Sequence, residues 1–565
     1  GGSGGRAISQ AVDKGLHRAE LISVPITLVI LVLAFGALVA AAVPLLLGLT
    51  SVAAAVGAGS LVSHLVPMGD STAPVVVLIG LAVGVDYSLF YIRRERAERR
   101  AGAGREAALG AASTTVGRAI VVAGATVIVG LAGLLFSGLG VFTSMAVGAI
   151  IVVAIAVLGS VTVLPAALAL LGDRVNTGRL GRRHRAGSHR GGAWGLVARA
   201  VTGHPRSALV LALLLLVGIA APIIRMHTAN PGENDLPANN PVIVAEHAIE
   251  RAFPGSADTA ELVVSGHGLG SAQVRAALAQ LGHHGQRITA ASGQMSVRVA
   301  RNGETALVAI PIRDANRTVA HRSVTELRAQ LKPATARRIP GARAQLGGGA
   351  AEDVDFTSHL ASVTPLVIAF VLALAFVLLV AAFRSPWLAL SVMGLNLLSV
   401  GAAFGALVAV FQGHWAQSLL GFTSNGAIVN WLPLFAFVVL FGLSMDYTVL
   451  VLERAREARR GGADAREAAA EALASTGGTV TSAAAVMVAV FAVFATLPLV
   501  SFKQLGVGLA VAIAVDATIV RGLALPAIVT LLGDRGLKPA RRRRRAREPQ
   551  WDHGSDGRAL EPSYE

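Results

Sequence analysis

Long apolar stretches recur along the whole chain, separated by short polar segments that hold most of the arginines. A run of about 20 apolar residues is long enough to cross a bilayer as a helix. The runs that meet this criterion lie at roughly 23–41, 44–64, 73–92, 116–136, 141–171, 207–223, 362–383, 387–410, 431–452, 479–500 and 505–531. The sequence therefore predicts a polytopic α-helical membrane protein with about eleven spans.

The composition agrees with a protein that is solvated largely by lipid. Hydrophobic residues occupy 54% of the 565 positions and charged residues only 15%, whereas soluble domains carry about 25% charged residues. The chain contains no cysteine, which excludes disulfides and thiolate metal ligands. Its net charge of +16 comes from basic residues that cluster in the loops between spans.

The basic loops predict the orientation in the membrane. Arginines concentrate in 93–105, 174–206, 453–466 and 534–547, and with eleven spans these loops all fall on one side. Basic loops stay in the cytoplasm, so we expect a cytoplasmic C-terminus and an extracytoplasmic segment 224–361. Residues 1–22 would also lie outside, and we expect either that a preceding span is missing or that a partner chain supplies it.

The sequence contains an internal repeat. The loops RRERAERRAGAGREAA and LERAREARRGGADAREAA match, and the motif LLGDR ends both copies. These matches predict two parallel membrane halves, as in many transporters. The predicted segments are a first half at 23–172, a cytoplasmic linker at 173–206, the first span of the second half at 207–223, and the remainder of the second half at 362–533.

Segment 224–361 is predicted to be a small α+β domain. Strands are expected at 260–265, 296–300, 304–310 and 342–346, and helices at 271–281 and 318–331. This β-α-β-β-α-β order is the ferredoxin-like split βαβ arrangement. Asn302-Gly303 predicts a type I′ hairpin turn. The histidines of the segment lack ligand spacing, so we expect no metal site.

Two acid–phenol pairs interrupt the apolar runs: Asp86-Tyr87 in GVDYSL and Asp446-Tyr447 in SMDYTV. An ionised aspartate in the middle of a membrane helix costs roughly 2.5–3.5 kcal/mol. A single such acid could be neutral or paired with an arginine for packing. Two acids at equivalent positions of a repeat, each beside a phenol, favour reversible protonation, because burial moves a carboxyl toward its neutral form.

The helical repeat also predicts how these residues meet. Neighbouring residues point about 100° apart on a helix, so we expect Asp86 to meet Tyr447 and Asp446 to meet Tyr87 across the two halves. Small residues near both acids would let the two helices approach closely. These helix-packing residues are Gly80, Gly84, Gly442 and Ser444.

A third acid, Asp516, lies in the last apolar run, five residues before Arg521. The two side chains could neutralise one another as a structural pair, or Asp516 could act as a relay next to Asp446. Several hydroxyl groups could face the same region, namely those of Thr115, Thr126, Ser475, Thr476, Thr481 and Ser482.

The motifs GVDY, RRER, NDLPANNPVIVAEHAIERAFPGS, SMDY and DATIVR occur in this order along the chain and resemble those of the MMPL branch of the RND transporter superfamily. The resemblance implies twelve spans and two porter domains, of which this chain would lack the first span and first domain, with 1–22 as a remnant. It also implies proton-motive-force-driven export of lipids or other hydrophobic or amphipathic molecules across the bacterial inner membrane, in which the chain would lie. The residues to which it assigns the proton relay are Asp86, Tyr87, Asp446 and Tyr447, supported by Asp516 and Arg521. The sequence departs from the family pattern at Ala123 and Thr448.

Other functions remain open at this stage. Drug efflux by the same mechanism, a truncated inactive relative and a lipid sensor would share these motifs. An intramembrane aspartyl protease is disfavoured because the acids lie on symmetry-related helices, so we expect no enzyme and no cofactor besides protons. The basic tail 534–565, with Arg541–Arg545, is expected to bind anionic lipid headgroups. Nucleic-acid binding is disfavoured because no aromatic residues interleave with these arginines.

Overall fold

The fold is described from a computed structural model of the chain. The structure describes residues 24–33, 35–69, 71–176, 193–230, 235–237, 239–252, 259–291, 294–312 and 317–537. The predicted N-terminal remnant 1–22 and the arginines at 541–545 lie outside these ranges.

Ten helices of the described part are long and apolar enough to cross a membrane. They are α1 (Leu38–Val62), α2 (Thr72–Arg100), α3 (Arg105–Ser137), α4 (Gly140–Leu171), α5 (Pro205–Arg225), α6 (Gly349–Phe383), α7 (Pro386–Gln412), α8 (Leu432–Arg460), α9 (Ala465–Phe494) and α10 (Val500–Arg535). A short amphipathic helix, Ala193–Gly203, precedes α5. The chain is thus a polytopic helical membrane protein.

The predicted first span, 23–41, is wrong as one continuous helix. The described residues there include the apolar helix Val24–Leu33, and Gly36 turns the chain with φ +66°. Glycine adopts this left-handed conformation without steric cost and commonly ends helices. The next helix, α1, therefore begins at Leu38, inside the predicted span.

Corresponding arginines cap helices in the two halves. Arg96 lies ten residues after Asp86 and donates from Nη1 to the carbonyl oxygen of Phe35, at 2.9 Å. Arg456 lies ten residues after Asp446 and donates in the same way to Ala382 near the end of α6, at 2.7 Å. Arginine side chains near helix C-termini satisfy the last carbonyl groups. We call the end of the bundle that holds these contacts the arginine end.

A four-stranded antiparallel sheet precedes α6 and lies at the opposite end of that helix. Its strands are β1 (Thr259–Ser265), β2 (Ser296–Val299), β3 (Thr305–Pro311) and β4 (Arg343–Gly347). The spatial order is β2-β3-β1-β4, with helix Ala272–Thr289 after β1 and helix Arg317–Arg338 after β3. Alternate residues of β1 and β3 are buried, so the sheet and the two helices enclose a core of their own.

The β2–β3 hairpin forms, but the type I′ turn predicted at Asn302-Gly303 is wrong. That turn needs positive φ at both central residues, and of the two only Gly303 has it, at +68°. The N–H of Gly303 instead donates to the carbonyl of Ala300, at 2.9 Å. Asn302 Oδ1 accepts from the N–H of Glu304, at 3.1 Å, which holds the residue before the left-handed glycine in place.

The predicted helix-packing glycines contact other helices than expected. A methyl group on Gly84 would lie 2.9 Å from the Cα of Gly48 in α1, and one on Gly80 would lie 2.5 Å from Val152 in α4. A methyl group on Gly442 would meet Val127 of α3, at 3.6 Å. These glycines therefore allow α2 to pack closely against α1 and α4, and α8 against α3. They do not bring the two acid-bearing helices, α2 and α8, together.

We predict that Gly84→Ala destabilises the bundle by roughly 1–3 kcal/mol, because a backbone atom of Gly48 cannot move aside for the added methyl group. The matched control is Gly130→Ala, since a methyl group there meets no atom within 4 Å. Thermal unfolding in detergent would compare the two. Equal transition temperatures would contradict the close approach of α1 and α2.

Candidate functional site

The two helices that carry the acid–phenol pairs are the most enclosed of the ten. The most apolar window of α2 is 94% buried and that of α8 is 88% buried, compared with 67% for α10. Asp86 is 6% exposed and Tyr447 is 1% exposed. These side chains therefore lie inside the bundle, away from both its ends and its lipid-facing surface.

Asp86 and Tyr447 meet across the two halves. The Asp86 carboxyl interacts with the Tyr447 side chain. The Tyr447 hydroxyl also lies 2.9 Å from Sδ of Met487 in α9, and its ring lies 5.5 Å from the ring of Phe90. The phenol thus touches α2 and α9 from α8, and contacts from both fix its position.

Arg521 of α10 is the cation of the site. Its guanidinium carbon lies 4.4 Å from the centroid of the Tyr447 ring, within the range of a cation–π contact. Nη2 pairs with Oδ2 of Asp516 and donates to the carbonyl oxygen of Ser444, at 2.8 Å. Arg521 is 3% exposed and Asp516 is 2% exposed. The charge of Arg521 also acts on the Asp86 carboxyl, so one cation serves two buried acids.

A π-helical segment brings Asp516 and Arg521 together. Residues five apart on an α-helix point about 140° away from each other. Asp516–Ala524 is π-helical, and its i→i+5 hydrogen bonding turns such residues toward one side. This local change of helix type explains how an acid and a cation five positions apart form a direct pair.

Ser444 and Asn396 extend the network. Ser444 Oγ lies 2.9 Å from Oδ2 of Asp516 and 3.1 Å from Oδ1 of Asn396. A serine hydroxyl has a single hydrogen to donate, so only one of these oxygens can receive it at a time. Asn396, in α7 and 1% exposed, was missed by the sequence reasoning, although an amide within the apolar run VMGLNLLSV was a usable signal.

Several buried polar atoms of the site have no hydrogen-bond partner among the described side chains. They are Asp86 Oδ1, Asp516 Oδ1 and Arg521 Nε. Such atoms cost about 1–3 kcal/mol each when left unsatisfied, and a cluster of them calls for an explanation. A site that exchanges protons or water needs free positions of this kind.

Other predicted residues lie elsewhere. Tyr87 is buried in α2, with 2% exposure. The side chain of Asp446 lies outside the described part, so its predicted contact with Tyr87 stays a prediction.

The candidate hydroxyls each donate to a carbonyl in their own helix, and these are Thr115, Thr126, Ser475, Thr476, Thr481 and Ser482. Thr448 Oγ1 donates to the carbonyl of Ser444, at 3.1 Å. Within the described ranges, no three His, Asp or Glu side chains could hold a metal ion.

An enclosed acid, phenol and guanidinium inside a bundle of apolar helices define the chain as a multi-pass membrane protein with a buried polar site. The MMPL family matches residues 3–208 and 234–558, and the chain belongs to that family.

Three similar proteins illustrate the relationship. The mycolic acid-containing lipids exporter MmpL11 of Mycolicibacterium smegmatis is 35% identical over 539 residues, which cover 94% of this chain and 56% of that protein. The trehalose monomycolate exporter MmpL3 of the same organism is 28% identical, with 93% and 55% covered. The crystal structure of the translocon-associated membrane protein SecDF from Thermus thermophilus shares the fold, with a TM-score of 0.56 and 16% identity over 92% of this chain and 62% of that one. This chain thus spans about half the length of the two exporters.

We predict that Arg521→Ala destabilises the protein by about 3–5 kcal/mol, because it leaves the Asp516 carboxylate buried without its cation. The double variant Asp516→Ala/Arg521→Ala should recover part of this loss, since both charges are then absent. Thermal unfolding of the two single variants and the double variant would give the coupling energy.

The control for this cycle is Arg454→Ala, which breaks the exposed pair with Glu457, at 2.5 Å. Exposed pairs contribute about 0–1 kcal/mol, so little change is expected. Additive losses in the Asp516 and Arg521 variants would contradict a coupled pair.

Proposed function

We propose that this chain drives the export of lipids or related amphipathic molecules across the bacterial inner membrane with the proton-motive force. The observation that carries the proposal is the Asp86 carboxyl, which is buried between helices and interacts with Tyr447, with the Arg521 guanidinium carbon 4.4 Å from the centroid of that phenol ring. The similarity to proteins named as exporters of mycolic acid-containing lipids and of trehalose monomycolate supports the class of substrate.

In this proposal, Asp86 is the group that gains and loses the proton. When ionised, its carboxylate is attracted to Arg521, and when protonated it is neutral and the attraction is lost. The change therefore acts on the contacts of α2 with α8 and α10. Coupled shifts of packed helices are a common form of such transitions. One charge crossing 100 mV supplies about 2.3 kcal/mol, enough to bias two arrangements of similar energy.

Tyr447 and Arg521 would position and tune this carboxyl, and Asp516 would hold Arg521 in place. The contacts of Arg521 with Asp516, Ser444 and the Tyr447 ring support a positioning role for that pair. Asp446 and Tyr87 would form the equivalent pair of the other half, since Asp446 occupies the position of Asp86 in the repeat.

We further propose that the β-α-β-β-α-β domain is a ferredoxin-like porter domain outside the membrane, and that the arginine end and the C-terminal tail are cytoplasmic. Basic loops stay inside, and basic tails attract anionic lipid headgroups.

We predict that Asp86→Asn lowers proton-driven lipid movement at least tenfold, because an amide side chain cannot switch between a neutral and an ionised form as a carboxyl does. Proteoliposomes with an internal pH dye would report proton entry under an imposed gradient, and a fluorescent trehalose monomycolate analogue would report lipid movement. The matched control on the same helix is Glu98→Gln, whose carboxylate pairs with Arg94 at 2.6 Å at the partly exposed arginine end.

Unchanged proton entry and lipid movement in Asp86→Asn would contradict the proposal. Lipid movement that does not depend on the gradient in the wild-type chain would indicate a lipid-binding or inactive relative. Movement of a hydrophobic drug but not of the lipid analogue would favour drug efflux by the same relay.

A second prediction separates the two contacts of Tyr447. Tyr447→Phe removes the hydroxyl that interacts with Asp86 but keeps the ring beside Arg521, whereas Tyr447→Ala removes both. We expect proton entry to fall in Tyr447→Phe with little change in thermal stability, and stability to fall as well in Tyr447→Ala. Equal proton entry in Tyr447→Phe and the wild type would exclude the phenol hydroxyl from the relay.

A further inference from the structure

The first turn of α10 is capped by a residue from a distant part of the chain. Its N-cap residue, Leu499, offers no side-chain hydrogen bond, although the first N–H groups of a helix need partners. Asp235 supplies them, because its Oδ1 accepts from the N–H of Ser501 at 2.6 Å and its Oδ2 accepts from the Ser501 hydroxyl at 2.7 Å. The N–H of Val500 also acts on this carboxyl.

Asp235 is buried, with 9% exposure, and no ion pair to it occurs in the part of the chain that the structure describes. Burial raises its pKa, while the hydrogen bonds from Ser501 and Val500 act in the opposite direction. A helix N-terminus favours a carboxylate, and the donors are arranged around both oxygens. The contact therefore uses both oxygens of a carboxylate as hydrogen-bond acceptors, which an apolar side chain packed at this position could not provide.

The contact belongs to one half of the repeat. The offset of 360 positions that relates Asp446 to Asp86 relates Ser501 to Val141 and Asp516 to Ala156. The corresponding helix α4 thus has an apolar residue at both places. The cap and the Asp516 side chain occur together on α10, which indicates that the two polar features serve one purpose.

Asp235 also lies on the connection between a span and the α+β domain, after the end of α5 and before β1. The same connection is anchored to α10 a second time. Residues Thr228–Ala229 pair with the strand Ile428–Val429, and Gln504 of α10 accepts from the N–H of Val429 at 2.9 Å. Ser501 and Gln504 are one turn apart, so the start of α10 holds the connection at two points.

We propose that Asp235 is a positioning residue that couples the α+β domain to the helix that carries Asp516 and Arg521. This inference rests on the proposed function. Asp516 follows Ser501 by fifteen residues, or about 22 Å along a helix, so α10 spans the distance between the acid site and the cap. When a change of charge at Asp86 shifts α10, the cap passes the displacement to the connection that leads to the domain.

The test compares Asp235→Ala with the wild-type chain in the same proteoliposomes. If the cap couples the two parts, proton entry continues while movement of the trehalose monomycolate analogue falls at least fivefold, so the lipid moved per proton drops. Asp235→Asn, which keeps one acceptor for the Ser501 N–H, should be intermediate. The matched control is Glu304→Ala, an exposed acid of the same domain, with no expected change.

Because the chain has no cysteine, a covalent substitute for the cap can be added cleanly. The double variant Asp235→Cys/Ser501→Cys should recover lipid movement per proton when oxidised and lose it on reduction. A merely structural role predicts that proton entry and lipid movement fall together with the amount of folded protein in Asp235→Ala. That result, or an unchanged ratio, would overturn the inference.

A readout without substrate distinguishes failure of this inference from failure of the proposed function. Asp86→Asn mimics the protonated carboxyl and should change hydrogen–deuterium exchange at residues 226–237. Adding Asp235→Ala should abolish that change. If the wild-type chain moves no lipid but this exchange pattern is found, the coupling stands and the proposed substrate class fails. If Asp86→Asn leaves the exchange at 226–237 unchanged, or the change persists in the double variant, the coupling is wrong.

Discussion

The structure depends on one buried cation. Arg521 lies among apolar helices where an unpaired charge would be very costly, and each of its contacts constrains a different part of the bundle. Asp516 can reach it because α10 becomes π-helical at that point. The Ser444 carbonyl and the Tyr447 ring fix α8 against α10. Asp86 completes the arrangement from α2. In the proposed mechanism, its ionised carboxylate is attracted to Arg521, and protonation removes that attraction.

The two halves share a repeated helix arrangement but differ in the polar residues of their last helices. Arg96 and Arg456 cap preceding helices in the same way, so the duplicated scaffold is kept at the arginine end. The last helices of the two halves differ, because α10 carries Ser501 and Asp516 where α4 carries Val141 and Ala156. In the proposed mechanism, this asymmetry lets one half hold a fixed countercharge while an acid of the other half gains and loses a proton.

Hydropathy was sufficient to locate most spans, because a run of about 20 apolar residues has few alternatives to a membrane helix. It missed the break at Gly36, since a single left-handed glycine hardly changes the mean hydropathy of the apolar stretch that contains it. The meeting of Asp86 and Tyr447 followed from the repeat, which supplies a symmetry that local patterns lack. The contacts of Asn396, Asp235 and Gly84 could not be foreseen, because they join residues distant in sequence through packing. The π-helical segment was not predicted either, because local sequence patterns do not show that Asp516 and Arg521 form a buried pair.

The central claim is that Asp86 alternates between neutral and ionised forms inside the bundle. Infrared difference spectroscopy during a pH change tests it most directly, because a protonated carboxyl has its own C=O stretching band. We predict such a band in the wild-type chain, its gradual loss as the pH rises, and its absence in Asp86→Asn. A band that is the same in both proteins, or none at any pH in the wild type, would contradict the account.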